Sequence, residues 1–247
     1  VAELLVVVPT YNEIESLETL VGRVRRALPA ADVLVVDDAS PDGTGELADR
    51  LAHADPSITV LHRSAKNGLG QAYLAGFDIA IERGYPYVAE IDADGSHDPV
   101  ELGAMLALAA GGSDLVIGSR WIPGGSVRNW PWARRAISRA GNSYSRFMLR
   151  SDIHDLTAGF RVYRTATLQQ LDLPSVSSQG YCFQVELAWR FERAGFLVTE
   201  HPITFVERET GRSKMHRGIV IEALWRVTLW GLAAPFTKTA KKKPRSA

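Results

Sequence analysis

Tyr87-Val88-Ala89-Glu90-Ile91-Asp92-Ala93-Asp94 is an apolar run of strand length that stops at two carboxylates one residue apart. Such a run reads as a strand buried on both faces, as in a parallel sheet, with its far end reaching the surface. Residues 4–8, 33–36, 58–61 and 115–117 have the same character: rich in β-branched side chains and bounded by turn residues. Helical patterns fill the gaps between them. Leu17, Leu20, Val21, Val24 and Leu28 recur at helical spacing, Asp42 is placed to cap a helix running through Leu51, and residues 69–81 and 99–108 complete the alternation. An order of β-α-β-α-β-α-β-α-β demands crossover connections. The expectation is therefore an α/β fold, a mostly parallel sheet with helices on both faces, whose ligands bind beyond the carboxyl ends of the strands.

Acidic residues fall where that rule looks for function: Glu13 after the first strand, Asp37-Asp38 after the second, Asp92-Ala93-Asp94 after the fourth. Carboxylates gathered at one sheet edge repel one another unless a cation joins them. A hard divalent ion, Mg²⁺ or Mn²⁺, takes one or two carboxylates and completes its shell with phosphate oxygens and water, so Asp92 and Asp94 suit a metal-diphosphate complex. A glycine-rich dinucleotide fingerprint is missing after the first strand, and there is no phosphate-binding loop ending in Gly-Lys-Ser/Thr. Lys66-Asn67-Gly68-Leu69-Gly70 reads either as a ligand loop or as a turn with close helix packing.

Composition narrows the classes further. A chain of 247 residues with 46% apolar side chains can bury one sizeable core, and its single cysteine, Cys182, excludes an internal disulfide and a cysteine metal cluster. A reducing, cytosolic setting follows, and the apolar run at 4–8 is too short for a secretory leader. A formal charge of zero argues against a general nucleic-acid binder. The charge is nevertheless uneven: residues 115–151 carry seven arginines and no acid, and the last 25 residues carry six basic side chains and no acid. Within the first stretch, Arg120, Arg134 and Ser138 form a candidate cradle for an anionic acceptor, since guanidinium forks match phosphate oxygens.

Pro9-Thr10-Tyr11-Asn12-Glu13, Val36-Asp37-Asp38-Ala39-Ser40-Pro41-Asp42, Asp92-Ala93-Asp94, Gly118-Ser119-Arg120 and Asn129-Trp130-Pro131 occur in this order. The ordered set resembles glycosyltransferase family 2, with its GT-A (Rossmann-like) fold, and within it the dolichol- or polyprenol-phosphate mannose synthases. The resemblance implies inverting transfer of mannose from GDP-mannose to a polyprenyl phosphate. UDP-glucose or another nucleotide sugar is the alternative donor, because the acidic cluster does not itself spell guanine. It further implies donor contacts at Pro9, Tyr11, Glu13, Val36, Asp38, Asp92, Ala93, Asp94, Arg120, Arg208 and Lys214, with the last two on a segment that closes over the diphosphate. Arg120, Arg134 and Ser138 match positions that hold the lipid phosphate, and Asp92, Asp94 and Arg120 carry the catalytic role. Ser96 stands where some relatives place a metal-binding Gln, which leaves its own part in metal binding in doubt.

A phosphate monoester, with a second pKa of about 6, is already anionic at neutral pH, so no general base is required. Asp155 is the rival as a base and otherwise a loop organiser; His97 is expected to pack rather than to ligate. The resemblance divides the chain into a catalytic domain, 1–218, and a C-terminal apolar helix with a polybasic tail, 219–247. Between Trp130 and Arg150 a helix would place Arg135, Arg139, Arg146 and Arg150 on one side, with Ile137, Ala140, Tyr144, Phe147 and Met148 on another, as interfacial helices do. Residues 219–236 are interrupted by Glu222 and Arg226, so they are expected to form a surface-lying or partner-packed helix and not to span. Lys238, Lys241, Lys242, Lys243 and Arg245 supply a patch for anionic lipids. The expected location is peripheral, on the cytoplasmic face of the cell membrane, with an integral membrane anchor protein as a candidate partner.

Overall fold

The computed structural model describes residues 2–176, 178, 180–207 and 217–233. Its first half follows the expected alternation: β1 (Leu4–Thr10), α1 (Leu17–Ala27), β2 (Asp32–Asp37), α2 (Thr44–Ala54), β3 (Ile58–His62), α3 (Leu69–Glu82), β4 (Tyr87–Glu90), α4 (Glu101–Ala110) and β5 (Leu115–Ser119). Then come β6 (Ser126–Arg128), α5 (Trp132–Leu149), β7 (Arg161–Arg164), the single-turn α6 (Thr165–Leu168), α7 (Tyr181–Arg193), β8 (Val198–Pro202), β9 (Thr204–Val206) and α8 (Arg217–Ala233). Seven strands form the main sheet in the order β3-β2-β1-β4-β7-β5-β8, while β6 and β9 pair separately.

All neighbours in the main sheet are parallel except those of β7, which runs against both β4 and β5. Its direction follows from where the chain is. β5 ends at the carboxyl edge of the sheet, β6 and α5 come next, and β7 pairs next to β5 running back from that edge, with no crossover helix in between. The Glu90–Arg161 register, continued two residues further, sets Gly159 opposite Asp92.

Each face of the sheet has its own core. Leu5 and Val7 of β1 point to the side covered by α3 and α7, whereas Leu4, Val6 and Val8 point to the side of α1, α2 and α4. Helix α3 lies so close to β1 that a Cβ at Gly76 would stand 2.5 Å from Val7 Cγ1. The Lys66–Gly70 stretch also resolves into local structure. Gly68 has φ +93° as the chain enters α3, and a Cβ at Gly70 would stand 2.7 Å from Phe183 Cδ2 of α7. Turn and close packing thus account for both glycines. The cap of α2 differs by one residue from expectation: Gly43 is the N-cap, and Asp42 before it accepts the Thr44 N–H (3.0 Å) and hydroxyl (2.6 Å) and the Ile14 N–H (3.3 Å).

Helix α8 packs on α5 and α7. Its Gly231 lets the backbones approach, since a Cβ there would meet Met148 O at 2.5 Å. Tyr144 and Thr228 share a hydrogen bond of 2.5 Å, and Trp230 stacks on Trp189 with ring centres 5.7 Å apart. The apolar side expected of α5 therefore divides. Tyr144 and Met148 pack toward the core, while Ile137 and Phe147 stay exposed, as do Trp132 at the start of α5 and Trp225 and Leu232 of α8. Among the described residues no helix is long and apolar enough to cross a membrane.

Candidate active site

Asp92 and Asp94 follow β4 at the carboxyl edge, where the strand has run out of partners and the chain must turn. Asp92 Oδ1 accepts the Tyr73 hydroxyl at 3.1 Å, and Asp94 Oδ1 accepts the Ser96 N–H at 3.0 Å, so both carboxylates are oriented. Ser96 is buried, and its Oγ has no hydrogen-bond partner among the described residues. Two carboxylates with a spare buried hydroxyl nearby are hard oxygen donors of the kind a divalent cation takes. No group of three or more His, Cys, Asp or Glu side chains among the described residues could hold a metal alone, so substrate phosphate would have to help complete the shell.

The other acids behave differently from the expectation of one repelling cluster. Asp37 is occupied by hydroxyls: Thr10 Oγ1 donates at 3.0 Å and Ser40 Oγ at 2.5 Å. Asp38 is buried and takes the Arg63 guanidinium at 2.7 Å; burial raises its pKa, and the arginine only partly offsets this. Glu13 sits in the turn that starts α1: its N–H donates to Thr44 Oγ1 at 3.0 Å, and its carbonyl accepts the Ser16 N–H at 3.1 Å. The demand for a cation therefore rests on Asp92 and Asp94. Pro9 and Val36 are buried near the ends of β1 and β2, Ala93 is buried between the two carboxylates, and Tyr11 carries Lys66 Nζ 3.9 Å from its ring centre.

Arg120, just beyond β5, lines the same cleft as Asp92 and Asp94, together with Arg134 from α5. Arg120 is 6% exposed and Asp155 fully buried. Arg120 Nε donates to Asp155 Oδ2 at 2.7 Å and Nη2 to Oδ1 at 2.6 Å, while the Arg120 backbone N–H reaches Oδ2 at 3.0 Å. Thr157 Oγ1 donates to Asp155 Oδ1 (3.2 Å), as does Asn142 Nδ2 (3.4 Å). Burial alone would raise the Asp155 pKa, but Arg120 and these donors bring it below the ordinary value. Donors thus occupy both oxygens of Asp155, the arrangement expected of a loop organiser.

Arg134 pairs with Glu207 and lies over Trp130, its Cζ 4.3 Å from the ring centre. Ser138 and Asn142 follow at intervals of four on the same face of α5, and Asn142 donates to Thr157 Oγ1 at 3.1 Å. Ser138 is therefore on the right face but is not among the residues lining the cleft. Trp130 turns inward although it lies at the start of the stretch expected to be interfacial: it is 8% exposed against 82% for Trp132. The left-handed conformation of Asn129, φ 63°, makes that turn.

His97 does pack, 4.9 Å from Phe160 and 5.2 Å from Phe205 between ring centres, but it also lines the cleft. Burial lowers its pKa to about 4, so it is neutral near pH 7. Arg208, Lys214 and the lysine-rich tail lie outside the described residues. Sequence reading missed Thr157, Gly159, Phe205 and Glu207. The one available signal was the Asp155-Leu156-Thr157-Ala158-Gly159 step, two polar side chains and a glycine between apolar residues at a loop.

A family model for glycosyl transferase family 2 matches residues 5–172. The chain is 56% identical over 229 residues to the polyprenol monophosphomannose synthase of Mycolicibacterium smegmatis, covering 92% of this chain and 86% of that protein. It is also 56% identical over 230 residues to the undecaprenyl-phosphate mannosyltransferase of Micrococcus luteus, covering 93% and 94%. Among solved structures, the mannosyltransferase PcManGT of Pyrobaculum calidifontis, in complex with GDP-Man and Mn²⁺, superposes with a TM-score of 0.57. That match spans 94% of this chain and 70% of the other at 17% identity, a likeness of fold alone.

Proposed function

The chain belongs to glycosyltransferase family 2, and on that premise we propose that it transfers mannose from GDP-mannose to a polyprenyl phosphate, with inversion at the anomeric carbon. One observation carries the reading: a single cleft has the Asp92–Asp94 pair and the Arg120–Arg134 pair among its lining residues. Two carboxylates suit a cation-bound diphosphate; two guanidinium groups suit a second phosphate.

Asp92 and Asp94, with Ser96 Oγ at hand, would hold a divalent ion, Mg²⁺ or Mn²⁺, which when bound would supply Lewis-acid stabilisation of the leaving diphosphate. The chain's own residues do the rest. Tyr73 and the Ser96 N–H fix the two carboxylates. Asp155 fixes Arg120, and Arg120 and Arg134 aim an oxygen of the acceptor phosphate at the anomeric carbon. A bond forms from that oxygen to C1 as the C1–O bond to the diphosphate breaks, and its electron pair departs with GDP. The attacking oxygen carries no proton near pH 7, so catalysis consists of positioning and charge stabilisation. Arg208 and Lys214, which lie outside the described residues, are assigned to the donor side of this scheme on the family resemblance alone.

The reaction takes place at the cytoplasmic face of a membrane, with the exposed Trp132, Ile137 and Phe147 of α5 and Trp225 and Leu232 of α8 meeting the lipid and the tail lysines meeting anionic headgroups. The test is turnover by purified protein with a short polyprenyl phosphate and several nucleotide sugars, with and without Mg²⁺ or Mn²⁺, and sedimentation with anionic vesicles. GDP-mannose should be the donor used, and chelation should stop the reaction. Turnover without metal, or with UDP-glucose in preference, would overturn the corresponding part.

A further inference from the structure

Trp130 is a residue of the cleft that carries a buried hydrogen-bond donor and lacks an acceptor. Its Nε1 is buried and has no partner among the described residues, and the side chain lines the cleft beside Arg120 and Arg134. The two guanidinium carbons stand 5.5 Å and 4.3 Å from the ring centre, and Phe205 meets the ring edge-on at 5.3 Å. Asn129, held at φ 63°, commits the chain to this inward turn although Trp132, two residues on, is solvent-exposed.

An indole N–H only donates. Left buried and unmade it is costly; the Trp121 and Trp189 indoles are also buried without a partner among the described residues, but of the three only Trp130 lines the cleft. The same ring carries two guanidinium groups against it, and a donor that shares a cleft with two cations is complementary to an anionic oxygen. His97 Nδ1 is also buried without a partner among the described residues, but a neutral imidazole nitrogen is donor or acceptor according to tautomer and so points to no particular ligand.

We infer that the Trp130 Nε1–H donates a hydrogen bond to a phosphate oxygen of the acceptor, completing with Arg120 and Arg134 a three-sided phosphate site. The inference rests on the proposed reaction. It assigns the indole to the acceptor and not to the donor diphosphate because Trp130 leads directly into α5, the helix that supplies Arg134, and because the carboxylates are the diphosphate's side of the cleft.

Trp130→Phe keeps the aromatic ring under Arg134 and removes only the N–H. It should raise the KM for a short polyprenyl phosphate about tenfold while the KM for GDP-mannose stays within about twofold. An unchanged acceptor KM, or an equal rise in both, would overturn the assignment. In the wild-type enzyme labelled with ¹⁵N-tryptophan, one of six indole N–H signals should move downfield on adding polyprenyl phosphate and not on adding the parent polyprenol. No such movement overturns the inference even if the variant does not fold. Wild-type turnover measured in the same series tests the reaction itself, so the two failures are separable.

Discussion

Arg120 and Arg134 share a cleft and a proposed ligand, yet the fold treats them in opposite ways. Arg120 is buried, forked onto a fully buried Asp155 and held by its own backbone N–H. Arg134 is on a surface helix, partly exposed, and is paired with Glu207, which is likewise partly exposed. The first is built in advance of the substrate; the second can exchange one anion for another. A site that must hold a phosphate still and yet admit a lipid from a surface needs both kinds.

The comparison breaks most readily at Asp155. Asp155→Asn leaves Arg120 buried without its counter-charge, and a broken buried pair costs about 3–5 kcal/mol. The melting temperature should fall by about 10 °C for a chain of this size, and turnover by about a hundredfold or more, with GDP-mannose binding retained in the fraction that folds. The pH dependence gives an independent check. Because the folded-state pKa of Asp155 lies below its ordinary value of 3.8, the contribution of the pair is complete above that value and is lost as pH falls through the depressed one. Wild-type stability should therefore fall steeply on the acid side, and the variant's more gently. If the variant keeps both its melting temperature and its turnover, Arg120 is not pre-organised by Asp155.

What could be read without coordinates follows the same division. β1, β2, β4 and β5 were legible because their burial on both faces leaves unbroken apolar runs, the half-buried edge strand β3 because Ile58-Thr59-Val60-Leu61 is β-branched between turns, and Asp92 and Asp94 because strand ends in parallel sheets are where ligands bind. β7 was not, since Arg161-Val162-Tyr163-Arg164 begins and ends in charge and becomes a strand only by filling the slot between β4 and β5. Arg161 is nonetheless fully buried, its Nε and Nη2 given to the carbonyls of Ala158 and Leu156 at 2.8 and 2.9 Å, a solution no local pattern encodes. β8, with Glu200 and His201 at the sheet edge, was hidden for a similar reason. The Arg120–Asp155 lock joins residues 35 apart, and the Arg134–Glu207 pair joins residues 73 apart. Sequence named the arginines but could not name what holds them.

Arg134→Ala probes the exchangeable partner. A partly exposed pair on a surface helix contributes on the order of 1 kcal/mol, so the melting temperature should move by about 2–4 °C. Losing one charge-assisted phosphate contact should raise the acceptor KM about tenfold with little change in the donor KM. A large loss of stability with no change in acceptor KM would show that Arg134 is structural and that the contrast with Arg120 is false.

Glu207→Gln is the smallest of these effects and the sharpest on the point at issue. Glu207 is the described residue that occupies Arg134, and it competes with any phosphate for the same guanidinium. Removing its charge keeps the side-chain shape and a hydrogen-bond acceptor but lowers the cost of handing Arg134 to the lipid. The acceptor KM should fall about two- to threefold at low ionic strength, and the gain should shrink as salt rises, because exposed pairs are screened within about 8–10 Å near physiological salt. Stability should be unchanged within the scatter of surface substitutions. A rise in acceptor KM would mean instead that Glu207 positions Arg134 as Asp155 positions Arg120, and the two arginines would then be two copies of one device.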